Sequence, residues 1–340
     1  MSTKTNQFDI SFFTVIKVVA ALALCYGLYL IFNTLLIVFI SIILASSIKP
    51  LVKKAVRYKI PKTLATLVIV FGFLGLLVTA LYLGVQPIFI ETLKFINNFG
   101  TFLDRISNNY NIQIPDKDRL AELARNYAGN LGTQVGSASG ELINFGKSLM
   151  TILLSVLGLL ALTFYQIAED NKVKDFVAEF FGNKDKVKNI IERSENKLGS
   201  WFRGQLSLMI FVGVFTYISL FIIGLFDHNI ASFALPLAVI AGVLEIVPVV
   251  GPFLALVAAI LVGLATSPLY ALIILITYLL IQQIEANIVI PRVMNRAVGI
   301  DPMIVIIGIM IGNSLMGALG SLLSVPIMAV LSVLYEEWRG

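Results

Sequence analysis

The 340-residue sequence predicts an all-α polytopic membrane protein with about eight membrane segments, two of them broken or re-entrant hairpins, plus amphipathic helical excursions. Three observations predict it. Only 13% of the residues are charged while 58% are hydrophobic, whereas soluble domains run near ~25% charged. Uncharged runs cover 18–48, 63–90, 148–168, 205–226, 246–284 and 302–335, each matching or exceeding the roughly 20 residues that cross a ~30 Å hydrocarbon core. Lipid demands an internally satisfied backbone, and the runs lack the ~10-residue alternation of barrel strands, so they are read as helices.

Taken in order, 11–48 is too long for one span, and Asn33–Thr34 offer a break between two helices, 11–32 and 34–48. The loop KPLVKKAVRYKIPK (49–62) holds six basic residues and no acid, which places it in the cytoplasm with the Lys4 end. Helix three, 63–86, leads outward and completes an N-terminal membrane unit, 1–86. Residues 87–147 form an extracytoplasmic amphipathic segment. Leu93, Ile96, Phe99, Leu103, Ile106 and Tyr110 recur at helical spacing, Pro115–Asp116 opens a second helix, and GSASG (136–140) is a flexible joint. Helix four, 148–168, returns inward. A cytoplasmic amphipathic segment, 169–204, carries Phe176 and Phe180 and ends in Trp201 and Arg203, read as interface anchors. Helix five, 205–226, leads to the turn holding His228.

The C-terminal membrane region, 205–335, contains two broken segments, 231–266 and 302–335. In the first, LEIVPVVGPF (244–253) places Glu245, Pro248, Gly251 and Pro252 inside an apolar run. Proline removes a backbone donor and clashes with the preceding turn, and broken backbone at membrane depth survives only where protein or a water-filled cavity satisfies it. A hairpin here keeps Arg292 and Arg296 in the cytoplasm; a full span would put both outside. The second segment is interrupted by GNSLMGALGS (312–321) and Pro326, and as a hairpin it returns the C-terminus to the cytoplasm. Span plus hairpin, repeated in opposite orientation, is the pattern of secondary transporters.

Candidate substrate-binding residues are therefore Glu245, Pro248, Gly251 and Pro252 at the first break, and Asn313 and Ser314 at the second. Tyr278, Gln282 and Glu285 share one stripe of the intervening helix, with Gln283 and Asn287 beside it. Such groups suit a small polar solute or a cation. Structural roles compete with that reading: Glu245 as a hairpin-tip cap, Glu285 as an ion pair with Arg292, the amides as interhelical hydrogen bonds, and Gly308–Gly312 as a packing motif. The net charge of +5 is a topology signal, not a nucleic-acid footprint. Lone Cys25 forms no intramolecular disulfide, and Leu24 before it disfavours lipidation. The sequence holds no phosphate-binding glycine loop, and one histidine with one cysteine supplies neither a metal cluster nor a common catalytic pair. No enzymatic activity, cofactor or resident metal is expected; Glu245 or Glu285 would meet a metal ion only as a transported cation.

RGQL (203–206), EIVPVVGP (245–252), IEANIVIPRVMNRAVGIDP (284–302) and GALGSLLSVPIMAV (317–330), with SSIKPLVKK (46–54), resemble in the same order the motifs of the autoinducer-2 exporter family. Asp301–Pro302 stands where that pattern carries His-Pro. The resemblance implies a multi-pass protein of the bacterial inner membrane, with both termini cytoplasmic, that exports a small signalling molecule of quorum sensing. It also implies a homo-oligomer, with a pentamer suggested. A Na⁺(Li⁺)/H⁺ antiporter is the alternative, and a non-transport scaffold or regulator a further one.

Overall fold

The computed structural model describes residues 12–97, 99–110, 113, 115–123, 126, 154–182, 184–247, 250–297, 299 and 301–339. All regular structure among them is helical. Two helices, α1 (Phe12–Leu30) and α2 (Phe32–Arg57), meet at Ile31. They are followed by α3 (Lys62–Asn97), α4 (Phe99–Tyr110), α5 (117–123) and α6 (Leu154–Ala168). Next come α7 (Asp170–Phe180) and the 41-residue α8 (Lys184–Gly224). The C-terminal part comprises α9 (His228–Leu244), α10 (Val250–Thr266), α11 (Pro268–Ile284), a π turn (Glu285–Val289), α12 (Ile290–Ala297) and α13 (Pro302–Arg339). Five stretches, Phe32–Arg57, Lys62–Gly84, Lys184–Gly224, Pro268–Met294 and Met303–Arg339, are long and apolar enough to cross a membrane. The chain is an all-α polytopic membrane protein.

Three expectations change. The basic stretch 49–62 is mostly helix, since α2 continues through Pro50 to Arg57 before a turn at 58–61. The amphipathic segment divides into α7 and a second part, from Lys184, that runs on into helix five as the single helix α8, because no proline interrupts 184–224. Trp201 is not an interface anchor. It is 3% exposed and packs with Ile43, Leu198, Phe202, Leu323 and Ala329, because α2 and α13 cover that face of α8. Phe176 and Phe180, by contrast, are exposed. The GSASG joint, Pro248 and the Arg296 side chain lie outside the described residues.

Both broken segments are hairpins. The 17-residue α9 and α10 are each about 25 Å long at 1.5 Å per residue and pack together through Leu237, Ala241, Ala255 and Ala259. Gly251 lies against the Leu244 carbonyl, where a Cβ would overlap the backbone. That leaves glycine as the residue that closes this turn. In α13 length alone suggests a span, but Gly317 has φ 59° and ψ −140°, a conformation essentially restricted to glycine. The chain reverses there. Gly312 and Gly320 meet backbone to backbone across the two arms, and Ser324 Oγ donates to the Gly308 carbonyl at 2.9 Å. Gly308 and Gly312 thus serve packing within the hairpin.

The long helix α8 organises the rest. Its apolar half packs on the α9–α10 hairpin and α11 through Val212, Leu220, Ile230 and Ile274. Its polar half is stapled to neighbours by charge. Lys49 of α2 donates to Asp170 of α7 and Glu195 of α8, both at 2.7 Å, and the buried Lys174 lies 3.1 Å from Glu195 and 3.3 Å from Asp170. Burial opposes ionisation of the Asp170 carboxyl, but Lys49 and Lys174 prevail and hold it below the usual carboxylate range. Burial likewise opposes the Lys174 charge, and Glu195 and Asp170 outweigh it, so its ammonium lies above the usual lysine range. On the same stretch of α8, Arg193 and Lys197 pair with Glu336, tying α13 to α8.

Candidate functional site

Ser267 caps α11, its hydroxyl accepting from the Tyr270 N–H at 3.4 Å, with Pro268 in the first turn. From there the helix is regular until Glu285. Pro291 lacks the N–H that would reach the carbonyl four residues back, and its ring crowds that carbonyl. The helix relaxes into the π turn, with the Ile290 N–H donating to the Glu285 carbonyl. Single π turns often mark functional positions. Here the turn accompanies a buried carboxylate: Glu285 is 3% exposed.

The tip of the first hairpin meets it. Glu245, 5% exposed, follows the last residue of α9, and its carboxyl faces that of Glu285. Glu245 Oε2 has no hydrogen-bond partner. Gln282 Nε2 donates to Glu285 Oε2 at 3.1 Å, and the buried Gln205 Nε2 of α8 donates to the Glu245 backbone carbonyl at 2.6 Å. Farther along the same seam, the Tyr278 and Thr216 hydroxyls face one another across α8 and α11, short of a completed hydrogen bond. The result is a seam of buried polar groups. Isolated buried charge is strongly unfavourable, so two carboxyls in contact need a shared proton or a cation between them.

The predicted candidates separate into groups. Glu245, Tyr278, Gln282 and Glu285 come together, with Gly251 holding the hairpin turn and Pro252 in the first turn of α10, where proline is tolerated. Gln283 and Asn287 are exposed, and Asn287 Nδ2 donates to the side-chain and backbone oxygens of Gln283, each at 2.9 Å. Asn313 and Ser314 are also exposed. Asn313 accepts from Ser321 at 3.4 Å inside its own hairpin, and Ser314 donates to the Met310 carbonyl at 3.0 Å. Their hairpin packs on α2 and α8, so the two breaks do not share one site. The Glu285 carboxylate faces Gln282 and Glu245 rather than forming an ion pair with Arg292.

Glu285 is seven residues from Arg292 and seventeen from Pro268, about 10 and 26 Å along the helix. The carboxyl pair therefore lies toward the basic end of α11. His228, at the opposite end of α9 from Glu245, is exposed and remote from it. Asp301 serves as an N-cap, accepting from the Met303 N–H at 2.8 Å. Gln205 and Thr216 were not anticipated as site residues. Gln205 falls within the RGQL motif; Thr216 carries no signal in the sequence. Among the described residues no cluster of three or more His, Cys, Asp or Glu is placed to hold a metal.

Comparison with known proteins gives the function in outline. Residues 18–340 match the model of the AI-2E family transporters. The Bacillus subtilis (strain 168) relative named "Putative transport protein YrrI" is 27% identical over 318 residues, covering 90% of this chain and 87% of its own. The Escherichia coli (strain K12) relative named "AI-2 transport protein TqsA" is 23% identical over 322 residues, covering 90% and 85%. The chain belongs to the AI-2E family of transporters.

Proposed function

We propose that this transporter is a gradient-driven secondary carrier whose coupling ion is handled by the Glu245–Glu285 pair. The observation that carries the proposal is the contact of two buried carboxyls contributed by a broken hairpin and a π-distorted helix. In one state the pair holds a proton; in the other, opening the hairpin tip separates the carboxyls, wets them and releases it. A discontinuous helix beside a coupling-ion site is a recurring arrangement in such carriers. Gln205 and Gln282 hold the two sides of the pair in register.

For cargo we propose a small hydroxylated signalling molecule of the autoinducer-2 type, exported across the bacterial inner membrane by alternating access. The name of the Escherichia coli relative supports this choice. A Na⁺/H⁺ exchange reading is favoured by the same carboxyl pair, which has the chemistry to bind a hard cation when deprotonated.

The test is uptake into inside-out vesicles containing the protein, with and without an imposed proton gradient. The expected result is gradient-dependent autoinducer-2 accumulation above empty vesicles. Adding Na⁺ while following internal pH separates the two readings. Proton movement driven by Na⁺ without autoinducer-2 uptake selects cation exchange, and neither signal from folded, oriented protein refutes both.

A further inference from the structure

A second feature lies on the other side of α8. Between α2, α3 and α8 runs a cavity of ≈390 Å³, a volume typical of ligand pockets (~300–1,000 Å³). Its walls are apolar, with Ile48, Leu51, Ile69, Phe73 and Leu206 among them. The one charged residue in its lining is Arg203. The guanidinium donates to Ser200 Oγ at 3.0 Å and meets no carboxylate among the described residues. Its basic neighbours are differently placed: Lys49 is held by Asp170 and Glu195, and Lys62 donates to the Ala168 carbonyl at 3.0 Å. Arg203 is a cation without a counterion at an apolar groove.

The groove lining reaches Leu51, two residues from Lys53 and close in sequence to Lys54 and Arg57, all exposed, at the end that an excess of basic residues assigns to the cytoplasm. An apolar slot of this size beside an uncompensated guanidinium is complementary to a molecule with an acyl chain and a negative headgroup. Arginine recognises phosphate oxygens through paired N–H donors, and basic pockets between membrane helices on this side favour anionic lipids. We infer that this groove binds one anionic phospholipid of the cytoplasmic leaflet, its phosphate on Arg203 and one acyl chain along α2 and α3.

The structure supplies a substitution that tests the slot separately from the charge. A Cβ added at Gly72, in the groove wall, meets nothing within 4 Å, so a side chain can start there without a backbone clash, and Gly72→Leu places bulk at the slot. The full-length protein would be equilibrated in mixed micelles with equal amounts of phosphatidylglycerol and phosphatidylcholine, and bound lipid counted by native mass spectrometry. Melting curves would verify the fold of each variant. One phosphatidylglycerol retained per chain is expected, in clear excess over phosphatidylcholine. Arg203→Gln should bring the two lipids to parity, and Gly72→Leu should lower retention of both. Equal retention of the two lipids by the unaltered protein would overturn the inference. So would a folded Arg203→Gln protein that keeps the preference, or a folded Gly72→Leu protein that keeps its lipid, since either means the headgroup or the chain binds elsewhere.

Discussion

The two hairpins have the same shape and opposite chemistry. The first, α9–α10, carries a buried carboxyl at its tip and delivers it against a second carboxyl on α11. The second, within α13, has no charged residue from 302 to 335. It turns on a glycine and closes through small residues, Gly312, Gly320 and Ser324. Its ends are tied to α8 by Trp201 packing and by the Glu336 ion pairs. The two breaks therefore differ in the groups they bury, not in the kind of backbone interruption. What distinguishes the first hairpin is polar groups left unpartnered beside the break, and the proposed coupling site rests on them.

The largest effects expected are ones the hairpins share. Gly251→Leu and Gly320→Leu each force a side chain into opposing backbone, and each should cost about 4 kcal/mol or more, the range of severe core clashes. Denaturation in detergent checks this, and a mild effect at either glycine would show that its hairpin is looser than described. Next, Gln205→Ala removes a buried donor to the Glu245 carbonyl and should destabilise by about 1–3 kcal/mol. The loss should be accompanied by faster hydrogen exchange at the α9–α10 turn and none at the α13 turn.

Smaller still is Tyr278→Phe. It deletes a buried hydroxyl with no partner, so stability should hold or rise by about 1 kcal/mol. A clear loss would mean that the hydroxyl is satisfied in the membrane, by water or ligand. The smallest effect belongs to the charged staples outside the membrane. Because the Asp170 carboxyl is held below its ordinary value of 3.8, its stabilising contribution is present above that value and lost as pH falls through the lowered one. Lys174 works in the opposite sense, its contribution present below 10.5 and lost only above it. Acid melting should therefore begin below about pH 4, and Asp170→Asn should flatten that limb. Glu336→Gln, at an exposed pair, should change stability by only ~0–1 kcal/mol.

Much of this was legible in the sequence, for identifiable reasons. Uncharged length fixes spans, and proline or glycine inside such length fixes breaks; both hairpins and the stripe of Tyr278, Gln282 and Glu285 follow from those rules. Glu245 was recognisable because a carboxyl in an apolar run needs a reason. The pairing of Glu245 with Glu285 was not legible, since it depends on how deeply the hairpin inserts beside α11 and on a π turn induced by Pro291. Burial of Trp201 was equally hidden: the same residue serves as interface anchor or core according to which neighbours cover it. The local bonding of Asn313 and Ser314 was hidden for a related reason. Polar residues at a break attract suspicion, yet these two bond within their own hairpin.

The most direct measurement compares proton-gradient-driven transport in inside-out vesicles for the unaltered protein, Glu245→Gln, Glu285→Gln and Asn313→Ala, at matched protein content. Both glutamine variants should retain a cooperative melt, because an amide fills the same space without charge, and both should fall to the level of empty vesicles. Asn313→Ala should transport normally. Full gradient-driven transport by either folded glutamine variant would contradict the assignment of the carboxyl pair as the coupling site.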